Sequence, residues 1–225
     1  TLQVLSLFLK ENTKLPKAHP VFKFMRLFTR DAVPHFCEFL SNHEHIPALC
    51  QVLVHLGKGC GTTFSKYLLN SDPLVARAMI SVILQTEPVA AALERLSAVL
   101  RHPDEDVRKA AAKAMLEDGS EAVGVAFLPL LEDAPLLSIA LQYYGKGPYP
   151  AAYEHLVKLT RSRLFQTLDP PRQVLCFKAM ILADPERSID YIANKVLRWP
   201  FAWGQGRRRL KSAALRALPH HKAEK

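Results

Sequence analysis

The stretch RWPFAWGQGRRRLKSAALRAL, Arg198–Leu218, gathers the side chains best suited to binding chemistry. Pro200, Gly204 and Gly206 break a helix between the aromatics Trp199, Phe201 and Trp203 and the basic residues Arg207, Arg208, Arg209 and Lys211. Such an aromatic–basic loop clamps an anionic partner, with arginine forks on phosphate or carboxylate oxygens and tryptophans on apolar surface. Nucleic acid or an acidic membrane surface satisfies the same pattern. The structural alternative is that the aromatics seal a packing junction while the arginines keep an exposed end soluble.

Other constellations fit their chemistry less well. CEFLSNHEHIPALC brings Cys37, His43, His45 and Cys50 within one short stretch, and these types suit zinc. The C-x5-H-x-H-x4-C spacing matches no common zinc site, however, and the two cysteines fall on apolar helix faces. Core thiols with solvated loop histidines are the expectation. LGKGCGTTFSKYL, Leu56–Leu68, invites a phosphate-loop reading. A phosphate cradle needs a strand before it and a lysine next to the helix hydroxyl, whereas Lys58 sits among the glycines. The expectation is a turn in which glycine ends one helix and Thr62 or Thr63 caps the next. The acidic clusters Asp104-Glu105-Asp106 and Glu132-Asp133 are expected to cap helix starts. No nucleophile–base pairing or nucleotide fingerprint can be argued, so the chain is expected not to be an enzyme and to take no cofactor, metal or small-molecule substrate.

The elements positioning these residues follow from composition and periodicity. Hydrophobic residues make up 49% and charged residues 23% of the 225, as in globular proteins. No apolar run reaches the ~18–20 residues of a membrane span; Ala134–Gly145 reads as a buried helix. The opening TLQVLSLFLKEN lacks the basic start of a signal peptide and reads as the tail of a helix in a longer polypeptide. The four cysteines are scattered, as expected of reduced thiols in a cytoplasmic core. Charge is uneven. From Arg187 to Lys225, ten Lys or Arg stand against Asp190 and Glu224, so this end carries +8 of the chain's net +9.

Internal repeats organise the rest. VRKAAAKAM (Val107–Met115) aligns with LKSAALRAL (Leu210–Leu218): a cation second, alanines fourth, fifth and eighth, a large apolar residue ninth. KAML at 113–116 recurs as KAMI at 178–181, placing Leu175, Cys176 and Ala179 at the alanine positions. VARAMISVI (Val75–Ile83) follows the scheme with Ala78 and Met79 inward. Looser copies start at Ile46 and Leu137, so first positions fall at 46, 75, 107, 137, 172 and 210. Second helical patterns lie between or before them, at 32–40, 62–69, 89–100, 121–131, 151–160 and 188–197, with apolar residues at i, i+3, i+4 and i+7. No stretch alternates as a strand does.

Two helices per repeat, an alanine-rich second helix and an acidic turn resemble the HEAT-repeat family of bacterial type. Asp106, Val107, Arg108, Ala110, Ala111 and Ala114 carry the resemblance, with Leu210, Lys211, Ala213, Ala214 and Ala217. It implies an all-α fold, a right-handed α-solenoid of about six to seven helical hairpins. Residues 1–30 would form capping helices, 31–218 the array and 219–225 a basic tail. Small residues suit such a stack, because an inner helix lies between neighbours on both sides. Two HEAT-like enzyme groups fit the sequence poorly. Deoxyhypusine hydroxylases bind two irons through several His-Glu dipeptides; this chain has only His43-Glu44, with Glu154-His155 reversed. A HEAT-like DNA glycosylase needs an aromatic cleft with a carboxylate, for which Trp199, Trp203 and Asp190 are neighbours in sequence alone. The expected role is a non-catalytic, cytoplasmic interaction or scaffolding module. It would bind a partner protein or an adjacent domain of its own polypeptide. The alternatives are nucleic-acid or anionic-surface binding through the basic C-terminal repeat, and the cytoplasmic domain of a membrane protein.

Overall fold

In the computed structural model, residues 2–198 and 205–218 are described, and for residues 205–207 the description covers the backbone alone. Every regular element among the described residues is helical. The helices are α1 (Leu2–Glu11), α2 (Pro20–Met25), α3 (Val33–Glu38), α4 (Ile46–Leu56), α5 (Gly61–Leu68), α6 (Pro73–Thr86), α7 (Val89–Val99) and α8 (Glu105–Met115). They continue as α9 (Glu121–Phe127), α10 (Leu137–Tyr144), α11 (Tyr153–Thr160), α12 (Arg163–Thr167), α13 (Pro170–Ala183), α14 (Pro185–Tyr191) and α15 (Gln205–Ala217). Short 3-10 turns extend several of them, and α14 runs into a π-helical turn, Ile192–Leu197. The chain divides into two compact units, Thr1–Ala114 and Met115–Lys225.

The six repeated segments coincide with α4, α6, α8, α10, α13 and α15. Three helix starts, those of α6, α13 and α14, are written in the sequence as an acid followed by proline. Asp72, Asp169 and Asp184 each accept a backbone N–H from two or three residues on, at 2.9, 2.9 and 3.0 Å, and each is followed by a proline that needs no partner for its missing N–H. Asp104 caps α8 through the Val107 N–H at 2.9 Å. The short helix α12, unforeseen in the sequence, fills the longer interval before α13.

The thin inner face is real but not uniform. On α8, Val107, Ala111, Ala112 and Met115 are buried; on α15, Ala213, Ala214 and Ala217 are. Elsewhere the equivalent of Ala111 is the larger Met79, Leu141 or Cys176, all fully buried. On α6 the inward alanine is Ala76, not Ala78, which is half-exposed. The larger side chains make a core in each unit: Phe22, Phe36, Phe64 and Met79 in the first, Phe127, Tyr144, Phe165 and Phe177 in the second.

No helix among the described residues is long and apolar enough to cross a membrane.

Candidate functional site

Helix α15 is amphipathic by spacing. Leu210, Ala213, Ala214 and Ala217, at i, i+3, i+4 and i+7, form its inner face and pack it against α13 and the Ile192–Leu197 turn. The opposite face then has to be outward. Arg208, Arg209, Ser212, Leu215 and Arg216 are exposed on it, Leu215 at 53%. Lys195 and Arg198 are exposed on the adjoining turn. Two packed elements of one unit thus present five exposed cations and an exposed leucine, while Glu186 and Asp190 are exposed acids nearby in sequence. Arginine forks bind carboxylate or phosphate oxygens in pairs, and the leucine supplies apolar contact.

Of the residues singled out in the sequence, Arg208 and Arg209 are brought onto this face. Lys211 is half-buried and already engaged within the chain. Arg207 lies in α15, but its side chain is outside the described residues, as are Trp199, Phe201, Trp203 and residues 219–225.

The Cys/His stretch does not converge as a ligand set. Among the described residues no three His, Cys, Asp or Glu are placed to hold a metal ion. His43 pairs with Asp72, lowering the carboxyl pKa below its usual value. Burial pushes the Cys37 thiol up to about 12 and the Cys50 thiol up to about 11.

His45 corrects the expectation of a solvated loop histidine. It is 1% exposed, edge-on to the Phe22 ring at 5.7 Å, and neither ring nitrogen has a hydrogen-bond partner in proper geometry. Burial lowers its pKa from 6.5, against the raising influence of the Asn12 backbone and the Glu44 carboxylate. The unfolded chain therefore takes up the proton more readily than the folded one. Stability is full above about pH 6.5 and falls as pH drops through the lowered folded value. Denaturant midpoints measured from about pH 7 down to about pH 5 should fall, and His45→Leu should flatten that slope.

The glycine-rich stretch is a turn, with one correction. Gly57 ends α4 and Gly59 takes a positive φ of 80°, but α5 begins at Gly61 behind Cys60, so Thr62 and Thr63 lie inside the helix. The acidic clusters also divide in use. Asp104 caps, Glu105 pairs with Lys109, and Glu132 pairs with Lys158 at 2.6 Å instead of capping α10.

Sequence reasoning passed over a tyrosine-walled cavity in the second unit. Tyr143 and Tyr144 end α10, and Tyr149 follows after Gly145, Gly147 and Pro148. The Tyr143 hydroxyl donates to the Ser120 carbonyl at 2.7 Å and the Tyr144 hydroxyl to the Gly124 carbonyl at 2.6 Å, tying α10 to α9. Tyr149 lies beside both rings, 4.7 and 5.6 Å between centroids. The available signal was three tyrosines within seven residues among glycines and prolines, YYGKGPY.

Comparison of the chain with known protein families, curated proteins and solved structures finds no match.

Proposed function

We propose that this chain is a HEAT-like repeat module, a right-handed α-solenoid of bacterial type, that binds a partner protein or an adjacent domain of its own polypeptide without catalysing a reaction. In this reading it works in the cytoplasm, with α1 and α2 as the capping helices and α15 as the contact helix. The recurrence of buried-face helices at 46, 75, 107, 137, 172 and 210 supports the repeat assignment. One observation carries the binding role: the outer face of α15 joins exposed Arg208, Arg209 and Arg216 to exposed Leu215. A contact face combines an apolar anchor with an arginine rim.

A photoreactive residue in place of exposed Ser212, in the full polypeptide in cells, tests this reading. A discrete protein adduct is expected, weakened at least about fivefold when Arg208 and Arg209 both become glutamate. The same photoreactive residue at exposed Val89 should give no such adduct. Failure of the arginine reversal to change the adduct would remove α15 as the contact helix.

The five exposed cations support a second reading, binding of nucleic acid or another anionic surface. It requires affinity for random duplex that drops steeply with salt and with the same arginine reversal. Weak, salt-insensitive binding would remove it.

A further inference from the structure

The tyrosine cavity of the second unit encloses about 290 Å³, small for a cofactor and suited to a single side chain. Its walls are Tyr144, Tyr149, Gly124, Val125 and Pro148, with Glu121 among the lining residues. The tyrosines at and beside it are tied to α9 and its cap. Two tyrosine hydroxyls are committed to carbonyls of α9 or its cap, and the Tyr149 ring lies over Gly124, where a Cβ would come within 3.2 Å of it. Val125 is 54% exposed although apolar, so the cavity opens beside an uncovered apolar rim. Glu121 is exposed and has no ion pair among the described residues, whereas the neighbouring Glu117 is taken by Lys146 at 2.9 Å.

We infer that this cavity receives a cationic side chain, lysine or arginine, from a partner polypeptide. The methylene stem lies along Val125 and Pro148, the charged head faces the Tyr149 ring, and Glu121 supplies the opposite charge. Tyrosine faces attract cations through their quadrupole, and a long basic side chain can bury its stem while keeping its head near water. A carboxylate at the lining opposes an anionic occupant. Glu121 is the one carboxylate among the lining residues, beside two tyrosine rings, and this pairing is complementary to a single basic side chain. The inference rests on the interaction role proposed above but uses a different surface from α15.

Titration of the purified chain with N-acetyl-lysine amide and N-acetyl-arginine amide, followed by NMR, tests it. Saturable shifts are expected at Tyr144, Tyr149 and Gly124, with N-acetyl-norleucine amide binding about tenfold more weakly for want of the charge. Glu121→Gln, which keeps the shape and removes the charge, should weaken the lysine probe about three- to tenfold, and Tyr149→Leu should abolish the shifts. Equal binding of norleucine and lysine, or an unchanged affinity in Glu121→Gln, would overturn the inference. So would the absence of saturable shifts. Arg208→Glu with Arg209→Glu should leave this titration unchanged, so a failed α15 contact and a failed tyrosine cavity are told apart.

Discussion

Replacing Gly57 by alanine is expected to lower the stability of the first unit by about 3 kcal/mol, near the upper end for overpacking a buried site. The φ of Gly57, −87°, is ordinary, so the cost comes from space and not from backbone freedom. A Cβ there would stand 2.4 Å from the Leu53 carbonyl oxygen and 2.4 Å from the Phe64 ring. Neither neighbour gives way easily. The carbonyl belongs to α4 and accepts the Gly57 N–H at 2.7 Å, and Phe64 is fully buried in the core. Moving either means shifting α5 away from α4. Gly119→Ala is the comparison: its nearest atom would be 3.8 Å away, and a change below about 1 kcal/mol is expected. Denaturant unfolding followed by circular dichroism gives both numbers. The Cys37 thiol gives an independent readout, since burial pushes its pKa up to about 12 and keeps it unreactive until the unit opens. A Gly57→Ala protein as stable as the parent would show that the turn between α4 and α5 relaxes freely, against the packing described.

Ala214→Leu is the second large effect, expected to cost about 2–3 kcal/mol. Ala214 is fully buried on the face that α15 turns toward α13, and α13 itself buries Cys176 and Ala179. Small residues on both helices let the backbones come close, and a leucine would have to push them apart or leave its rotamer wells. Ser212→Leu, on the exposed face of the same helix, should change stability by less than about 0.5 kcal/mol. The ratio of the two costs is the informative quantity. Equal, small effects would mean that α15 does not depend on its thin face for docking, and the account of alanine-rich helices as close-packing helices would fall with it.

Much of the candidate site was legible before any coordinates. Once Leu210, Ala213, Ala214 and Ala217 define one stripe of a helix, Arg208, Arg209 and Arg216 must lie off it, and they are exposed. A helix start was equally legible at Asp104, because a cap and its N–H are separated by only a few residues. The reading failed where the deciding neighbour is distant in the chain. His45 looked like a loop residue, yet Phe22 covers it. Glu132 looked like a cap, yet Lys158 claims it. The alanine scheme failed at α6, where Ala76 is buried and Ala78 is half-exposed.

The amino-acid order alone therefore determined the all-helical class, the positions of the six repeated helices and the outward face of α15. These depend on 3.6-residue periodicity and on capping, both of which act within a turn or two of the chain. Tertiary structure alone decided that a histidine is buried without a partner, that Gly57 must have no side chain, and that Tyr144 and Tyr149 wall a cavity beside Gly124. Each of those depends on which surfaces meet after the helices have formed. Contact between surfaces is set by volume and direction summed over many residues, and no local pattern records it.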